Sequence, residues 1–387
     1  MTDHVRSVPE THLVTATQIP SDFVINAVPE RPGVATRTLA LQQDPDLGPL
    51  TALKKKTFTG VGFNTIFRPQ FPTSPAKLPF EVPDSDNILE LNVTIETLSF
   101  QAPLGSVPNR GRLEQDIFLN GVPYLQTVSD VTDPNLTTAI HLEPGLFVIV
   151  PPTEHPAVTE PTIARMASIP HGTTINAQGG FIRGITTGPR IDPVDITPFV
   201  IGNPTSRIPF DSQTVANQNT PRIPQDLSIA PTITQQLLDN PNQMLLDHIA
   251  GMTILSTDVI FLDTKSATIP GGGTDNIGFL VGDAAGPNAD AVEMSAIFWI
   301  EIVEAQIEVD PCEAGQAIEV KPTVPAGAPA PTFRVKSATA RPDKTTHTVT
   351  YTQIQYTQNV SLDFQGLTWP HVSVATLVPA DPIRLKI

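Results

Sequence analysis

Apolar and polar residues alternate with a period of two through much of the chain, the spacing of half-buried β-strands. The stretch Ile88 to Phe100 shows it most clearly. Leu89, Leu91, Val93 and Ile95 share one parity, and Glu90, Asn92, Thr94 and Glu96 the other. Similar segments run from Thr57 to Phe67, closed by Arg68-Pro69, and from Thr162 to Ile169, Thr173 to Gln178, Thr253 to Leu262 and Ile277 to Val281. Others run from Val292 to Val303, Thr346 to Phe364 and Thr368 to Leu377. Asn120-Gly121, between Arg112–Leu119 and Val122–Val128, predicts a hairpin turn. Glu143-Pro-Gly145 divides Thr138–Val150 into two further short strands, Pro170-His-Gly172 separates the next pair, and Gln365-Gly366 separates the last.

Helical spacing is scarce. Thr232 to Met252 carries Leu237, Leu238, Leu245, Leu246 and Ile249 on one side and is interrupted at Pro241. About ten hairpin-linked strands without crossover helices predict a mainly β fold: an antiparallel up-and-down β-barrel or sandwich rather than a parallel α/β sheet. Residues 1–50 are polar and broken by prolines, which predicts an extended N-terminal arm. Residues 51–387 then form one β-barrel domain, with insertions at about 185–252, the helical one, and 305–340, which is rich in Pro and Ala.

Composition narrows the classes. Pro is 41 of 387 residues, about twice its ordinary share of ~5%, which opposes a helical protein. Hydrophobic residues at 40% and charged residues at 16% exclude a disordered chain. A net charge of −16 opposes nucleic acid as partner, because phosphate binding needs a basic footprint. Lys54-Lys55-Lys56 is the one basic run, read as a solvated turn. The single cysteine, Cys312, rules out an intrachain disulfide and cysteine-rich zinc sites. No stretch is long and apolar enough for a membrane span, and no signal segment opens the chain. The default expectation is a soluble, cytoplasmic protein, with leaderless export left open.

The usual catalytic signatures are missing. There is no G-x-S-x-G elbow and no H-E-x-x-H, and Gly271-Gly-Gly-Thr274 lacks the rest of a phosphate-binding loop. Among eight histidines, His141, His171 and His371 stand in apolar, strand-like contexts. Leu367, Trp369, His371, Ser373, Ala375 and Leu377 share one strand parity. In a barrel that holds a ligand this face is a pocket wall, and a neutral imidazole on it suits haem iron. The plainer alternative is a core histidine bonded to a backbone carbonyl. His171 is a turn histidine or a residue at the barrel mouth, and His141 a structural hydrogen-bonding group. Arg165 is the candidate partner for a ligand carboxylate, or half of a structural salt bridge. Trp299, Tyr351 and Tyr356 are candidate lining residues.

The order of motifs resembles the nitrobindins, haem-binding barrels of ten strands related in shape to fatty-acid-binding proteins and lipocalins. Thr57-Phe-Thr-Gly60-Val-Gly62 resembles their opening Gly-x-Trp-x-Gly-x-Gly, with Phe58 in place of Trp and Lys56 in place of the first Gly. Ile140-His-Leu-Glu143-Pro-Gly145-Leu-Phe-Val resembles their His-x-Glu-x-Gly-Phe segment, and Ala164–Ile175 the strand–Gly–strand step after it. His371-Val-Ser-Val-Ala-Thr-Leu377 resembles the last strand, whose histidine ligates iron. About half the chain lies outside this likeness. The resemblance implies haem b as cofactor with His371 on the iron; Trp369, His171, Arg165 and Tyr356 are the other cofactor-binding candidates. It also implies chemistry on nitric oxide or peroxynitrite. The alternatives are a haem-free carrier of an apolar molecule such as a fatty acid or terpenoid, and an assembly protein with a packed barrel. On either view the arm could join copies into a homo-oligomer.

Overall fold

The computed structural model describes residues 45–70, 87–169, 171–266 and 269–387. Most of the expected arm, with His4 and His12, lies outside them. Ten antiparallel strands close into a barrel: β1 (Thr57–Pro69), β2 (Asn87–Phe100), β3 (Ile117–Asp130), β4 (Thr138–Val150), β5 (Thr162–Ile169), β6 (Thr173–Ile185), β7 (Thr253–Asp263), β8 (Asp290–Val309), β9 (Thr345–Phe364) and β10 (Leu367–Pro379). Each pairs with its neighbour in sequence. β10 returns to β1, from Phe58 opposite Pro379 to Thr65 opposite Val372, so the barrel has no free edge. The mainly β, up-and-down barrel expected from the alternation is what forms.

Two expected turns are absent. Asn120-Gly121 lies inside β3, paired with Ile149 and Val148 of β4. The Asn120 side chain is occupied elsewhere: its amide donates to the Pro45 carbonyl, and its Oδ1 accepts from the Gly105 and Gly121 amides. Glu143-Pro-Gly145 likewise lies inside one continuous β4. There the Tyr124 ring occupies the space a Cβ on Gly145 would need. Residues 278–281, expected as strand, form a short helix, Gly278–Val281.

The polar parity of β2 faces inward. Glu96 sits opposite Gly60 and Asn92 opposite Asn64, and both side chains are buried. Leu89 and Leu91, on the outward parity, are buried because the inserted residues cover that side of the barrel. Within the insertion, two short helices, α1 (Gln235–Asp239) and α2 (Gln243–Ile249), flank Pro241 as the sequence predicts. Arg222 pairs in parallel with Leu89. Its guanidinium donates to the carbonyls of Ser212, Thr214, Val215, Asn217 and Gln225, which organises the surrounding loops. Gln355 of β9 donates to the Leu245 carbonyl of α2. The middle of β9, Gln353–Gln358, and the later part of β10, Val374–Val378, are buried on both faces.

The second insertion contributes strands 317–320 and 333–336, which join 383–386 in a small sheet with its own apolar core around Val303, Phe333 and Tyr351. At one end of the barrel a 3₁₀ turn, Gly48–Ala52, packs Leu50 and its neighbours Leu47 and Leu53 into the main core, with Gly48 against Phe181 and Ile149.

The seam between β1 and β10 is tight at Gly62. A Cβ there would stand 2.5 Å from the Val374 carbonyl oxygen and 2.7 Å from Glu96 Oε1 and Thr94 Oγ1. Gly62→Ala is expected to cost about 1–3 kcal/mol through overpacking, read as a lowered urea midpoint with an unchanged slope.

Candidate functional site

Two buried polar clusters fill the middle of the barrel. In the first, Arg165 of β5 and Glu143 of β4 form an ion pair, Nη2 to Oε1 2.5 Å, with neither side chain in meaningful contact with water. Arg165 Nε donates to the Tyr124 hydroxyl at 2.8 Å, and Nη1 to Gln358 Oε1 at 2.6 Å. The Tyr124 hydroxyl donates to Glu143 Oε1. The guanidinium also lies over the rings of Phe298, Tyr124 and Phe147, 5.4–5.8 Å from their centroids. Burial alone would raise the Glu143 carboxyl. The Arg165 charge, with His141 and Tyr124 bonded to it, instead holds it at about 2.

In the second cluster Glu96 accepts from Tyr356 at 2.5 Å, from Thr94 at 3.0 Å and from Gln126 at 3.3 Å. Gln126 also donates to the Tyr356 hydroxyl at 3.0 Å. Among the described residues no Lys or Arg pairs with Glu96, and burial raises its carboxyl above the ordinary range. The three bonds donated to it favour the charged form, and burial outweighs them.

The three histidines singled out from the sequence gather toward the end of the barrel opposite the Leu50 turn. His371 Nε2 lies 2.9 Å from Asn64 Nδ2, which also donates to Ser373 Oγ at 2.8 Å, while Asn64 Oδ1 accepts from Asn92. Since Nδ2 can only donate, Nε2 is the unprotonated nitrogen and Nδ1 carries the hydrogen. Burial, reinforced by the charges of His141 and His171, pushes His371 down to about 3, so it is neutral at physiological pH. It keeps partial solvent contact. His141 Nε2 meets Glu143 Oε2 at 3.2 Å, and exposed His171 donates to the Ile140 carbonyl at 3.0 Å. The His141 and His171 rings are 6.1 Å apart. Val360 of β9 pairs with His371, and Met294 of β8 with Val360, so an apolar wall continues beside the imidazole.

The other candidates fall elsewhere. Trp369 is fully buried in a cluster with Phe364, Phe67 and Phe210, stacked on Phe364 at 4.6 Å, and its indole N–H is spent on the Phe364 carbonyl. Tyr356 and Arg165 do face the interior, where both are committed to the clusters above. Trp299 and Tyr351 point outward rather than into the barrel, because odd positions of β8 and β9 face the covering insertions. Trp299 lines an outer cleft of about 440 Å³ with Asn242, Val194 and Phe261, and Tyr351 packs against Phe333. Sequence reasoning did not single out Asn64, Glu96, Gln126 or Tyr124. The signal for Glu96 was the polar parity of β2; Asn64, Gln126 and Tyr124 are recognisable only through their cross-barrel partners.

No family model matches the chain, and no curated protein matches it. Among solved structures, the crystal structure of Rv2717c from M. tuberculosis aligns with a TM-score of 0.33 and 10% identity, over 88% of this chain and 100% of that chain. At that score the likeness carries no argument.

Replacing Arg165 by Met leaves Glu143 as a buried, uncompensated charge, with an expected loss of about 3–5 kcal/mol. The double change Arg165→Met with Glu143→Gln should recover much of it, as chemical denaturation can measure. Acid should also weaken the fold. Glu143 is depressed below its unfolded value, so its contribution is complete above about pH 4.5 and is lost as pH falls toward 2. His371 is depressed as well, so the unfolded chain takes up its proton first and stability falls between about pH 6.5 and 3. A denaturation series against pH should show this decline, and His371→Leu should flatten its upper part.

Proposed function

We propose that the chain is a ligand-binding barrel that receives haem at its histidine end, with His371 as the iron ligand. The observation that carries this reading is a neutral imidazole, directed into the barrel and partly reachable from solvent, whose lone-pair nitrogen is held by one side-chain amide. Neutral imidazole nitrogen is the form that binds iron. Val360 and Met294 supply apolar surface beside it. To hold iron, His371 would have to release Asn64 from Nε2, and Ser373 and Asn92 offer that amide other partners. With both polar clusters internally satisfied, the histidine end is where a macrocycle would be accommodated. His141 and His171 would stand near such a group, with Nε2 of each already bonded, to Glu143 and to the Ile140 carbonyl. Haem supplies, when bound, an iron that takes small diatomic molecules, and reaction with nitric oxide or peroxynitrite is part of this proposal.

The same clusters disfavour a fatty-acid carrier. Each guanidinium nitrogen of Arg165 already has a partner in Tyr124, Gln358 or Glu143, and Glu143 balances its charge, which leaves little to attract a ligand carboxylate. An assembly role is the second reading. It is favoured by the packed middle of the barrel and by the exposed apolar side chains Leu125, Leu142 and Met166 on the outer faces of β3–β5.

Titration with haemin is the test. A Soret band saturating at one haem per chain, and weakened at least tenfold in affinity by His371→Ala, is expected. A well-folded protein with no specific band contradicts the haem reading and leaves assembly in front.

A further inference from the structure

A third buried polar cluster lies outside the barrel wall, beneath the insertions. Thr257 of β7, Glu301 of β8 and Gln353 of β9 are successive cross-strand partners on the outward face. Gln355 lies two residues along the same face, and Tyr351 two residues the other way. Thr257, Glu301, Gln353 and Gln355 have no exposed surface, and Tyr351 is 4% exposed. Gln353 Nε2 donates to Glu301 Oε2 at 2.7 Å, and Gln355 Nε2 donates to the Leu245 carbonyl and Thr376 Oγ1, both at 2.9 Å. These bonds fix which way round each amide sits, because only the nitrogen ends can face a carboxylate and a carbonyl.

What remains is a set of oxygens without hydrogen-bond partners: Glu301 Oε1, Gln353 Oε1, Gln355 Oε1, Thr257 Oγ1 and the Tyr351 hydroxyl. Each is costly to bury unsatisfied. No Lys or Arg pairs with Glu301 among the described residues. His248, close by on α2, spends Nδ1 on Thr376. Burial pushes the Glu301 carboxyl up to about 7; ionised, it would form with the neutral amide and hydroxyl oxygens a hard donor set, suited to a cation that prefers oxygen.

We propose that Glu301, Gln353, Gln355 and Thr257 bind a monovalent alkali cation, with Tyr351 at the entrance. One carboxylate balances one positive charge, whereas a divalent ion would leave excess charge in a buried place. A cleft of about 370 Å³ between residues 250–253, 304–306 and 323–325 is lined in part by Tyr351. Gln355 grips α2 through the Leu245 carbonyl, so the ion fastens the helical insertion to β9. The site is separate from the histidine end and does not depend on what binds there.

The test is thermal unfolding of the full chain in sodium, potassium and tetramethylammonium chloride at equal ionic strength, with Glu301→Gln in parallel. Sodium or potassium should raise the wild-type Tm by roughly 2 °C or more over tetramethylammonium, and the variant should lose that rise. Equal Tm values in all three salts, as trapped water would give, overturn the proposal, as does a rise that survives Glu301→Gln. Should Glu301→Gln not fold, Thr257→Val and a thallium(I) soak of wild-type crystals replace it. An anomalous peak at bonding distance from Glu301 Oε1 supports the ion, and its absence there overturns it.

Discussion

Glu143 and Arg165 face one another in the middle of a closed barrel, where neither can be solvated and neither can be left alone. An unpaired charge in that position costs several kcal/mol. The pair must therefore be complete, and its completion dictates its surroundings. Tyr124 bridges the two groups, Gln358 takes the remaining guanidinium arm, and three aromatic rings accept its faces. The large Tyr124 ring needs a strand without a side chain opposite it, which Gly145 supplies. The short step from Tyr124 through Glu143 to His141 then carries this constraint to the histidine end.

The consequence for function is a barrel divided along its axis. The end at Leu50 is apolar and packed. The middle is polar but internally satisfied. The histidine end retains groups with spare capacity and some access to solvent. A ligand has little to gain from the first two regions, because occupying them would break a finished set of contacts. His371 differs, since its partner Asn64 is an amide with alternative bonds within reach. This contrast in how firmly polar groups are held is what favours the proposed binding at the histidine end.

Much of the architecture was legible in the sequence, since period-two alternation and the lack of helices lead to an up-and-down barrel. The turns were less so. Asn120-Gly121 has the composition of a hairpin, but tertiary contacts of the Asn120 side chain override it. The alternation in β2 reveals a strand without revealing its facing, because outward Leu89 and Leu91 are covered and the inward face carries Glu96 and Asn92. His141, His171 and His371 could be singled out from their contexts. Their company could not: Asn64 lies 307 positions from His371, and Tyr356 lies 260 from Glu96. Trp369 shows the limit of parity arguments. It shares the strand phase of His371 yet is drawn into an aromatic stack near the strand end.

The central claim is that His371 presents an unprotonated Nε2 toward a replaceable amide. Long-range ¹H–¹⁵N correlation spectra of the imidazole, assigned with a His371→Gln variant, test it directly. A neutral ring with hydrogen on Nδ1, unchanged from pH 8 down to about pH 4, is the result this account predicts from burial beside His141 and His171. A ring that titrates near pH 6.5, or that carries its hydrogen on Nε2, would contradict it.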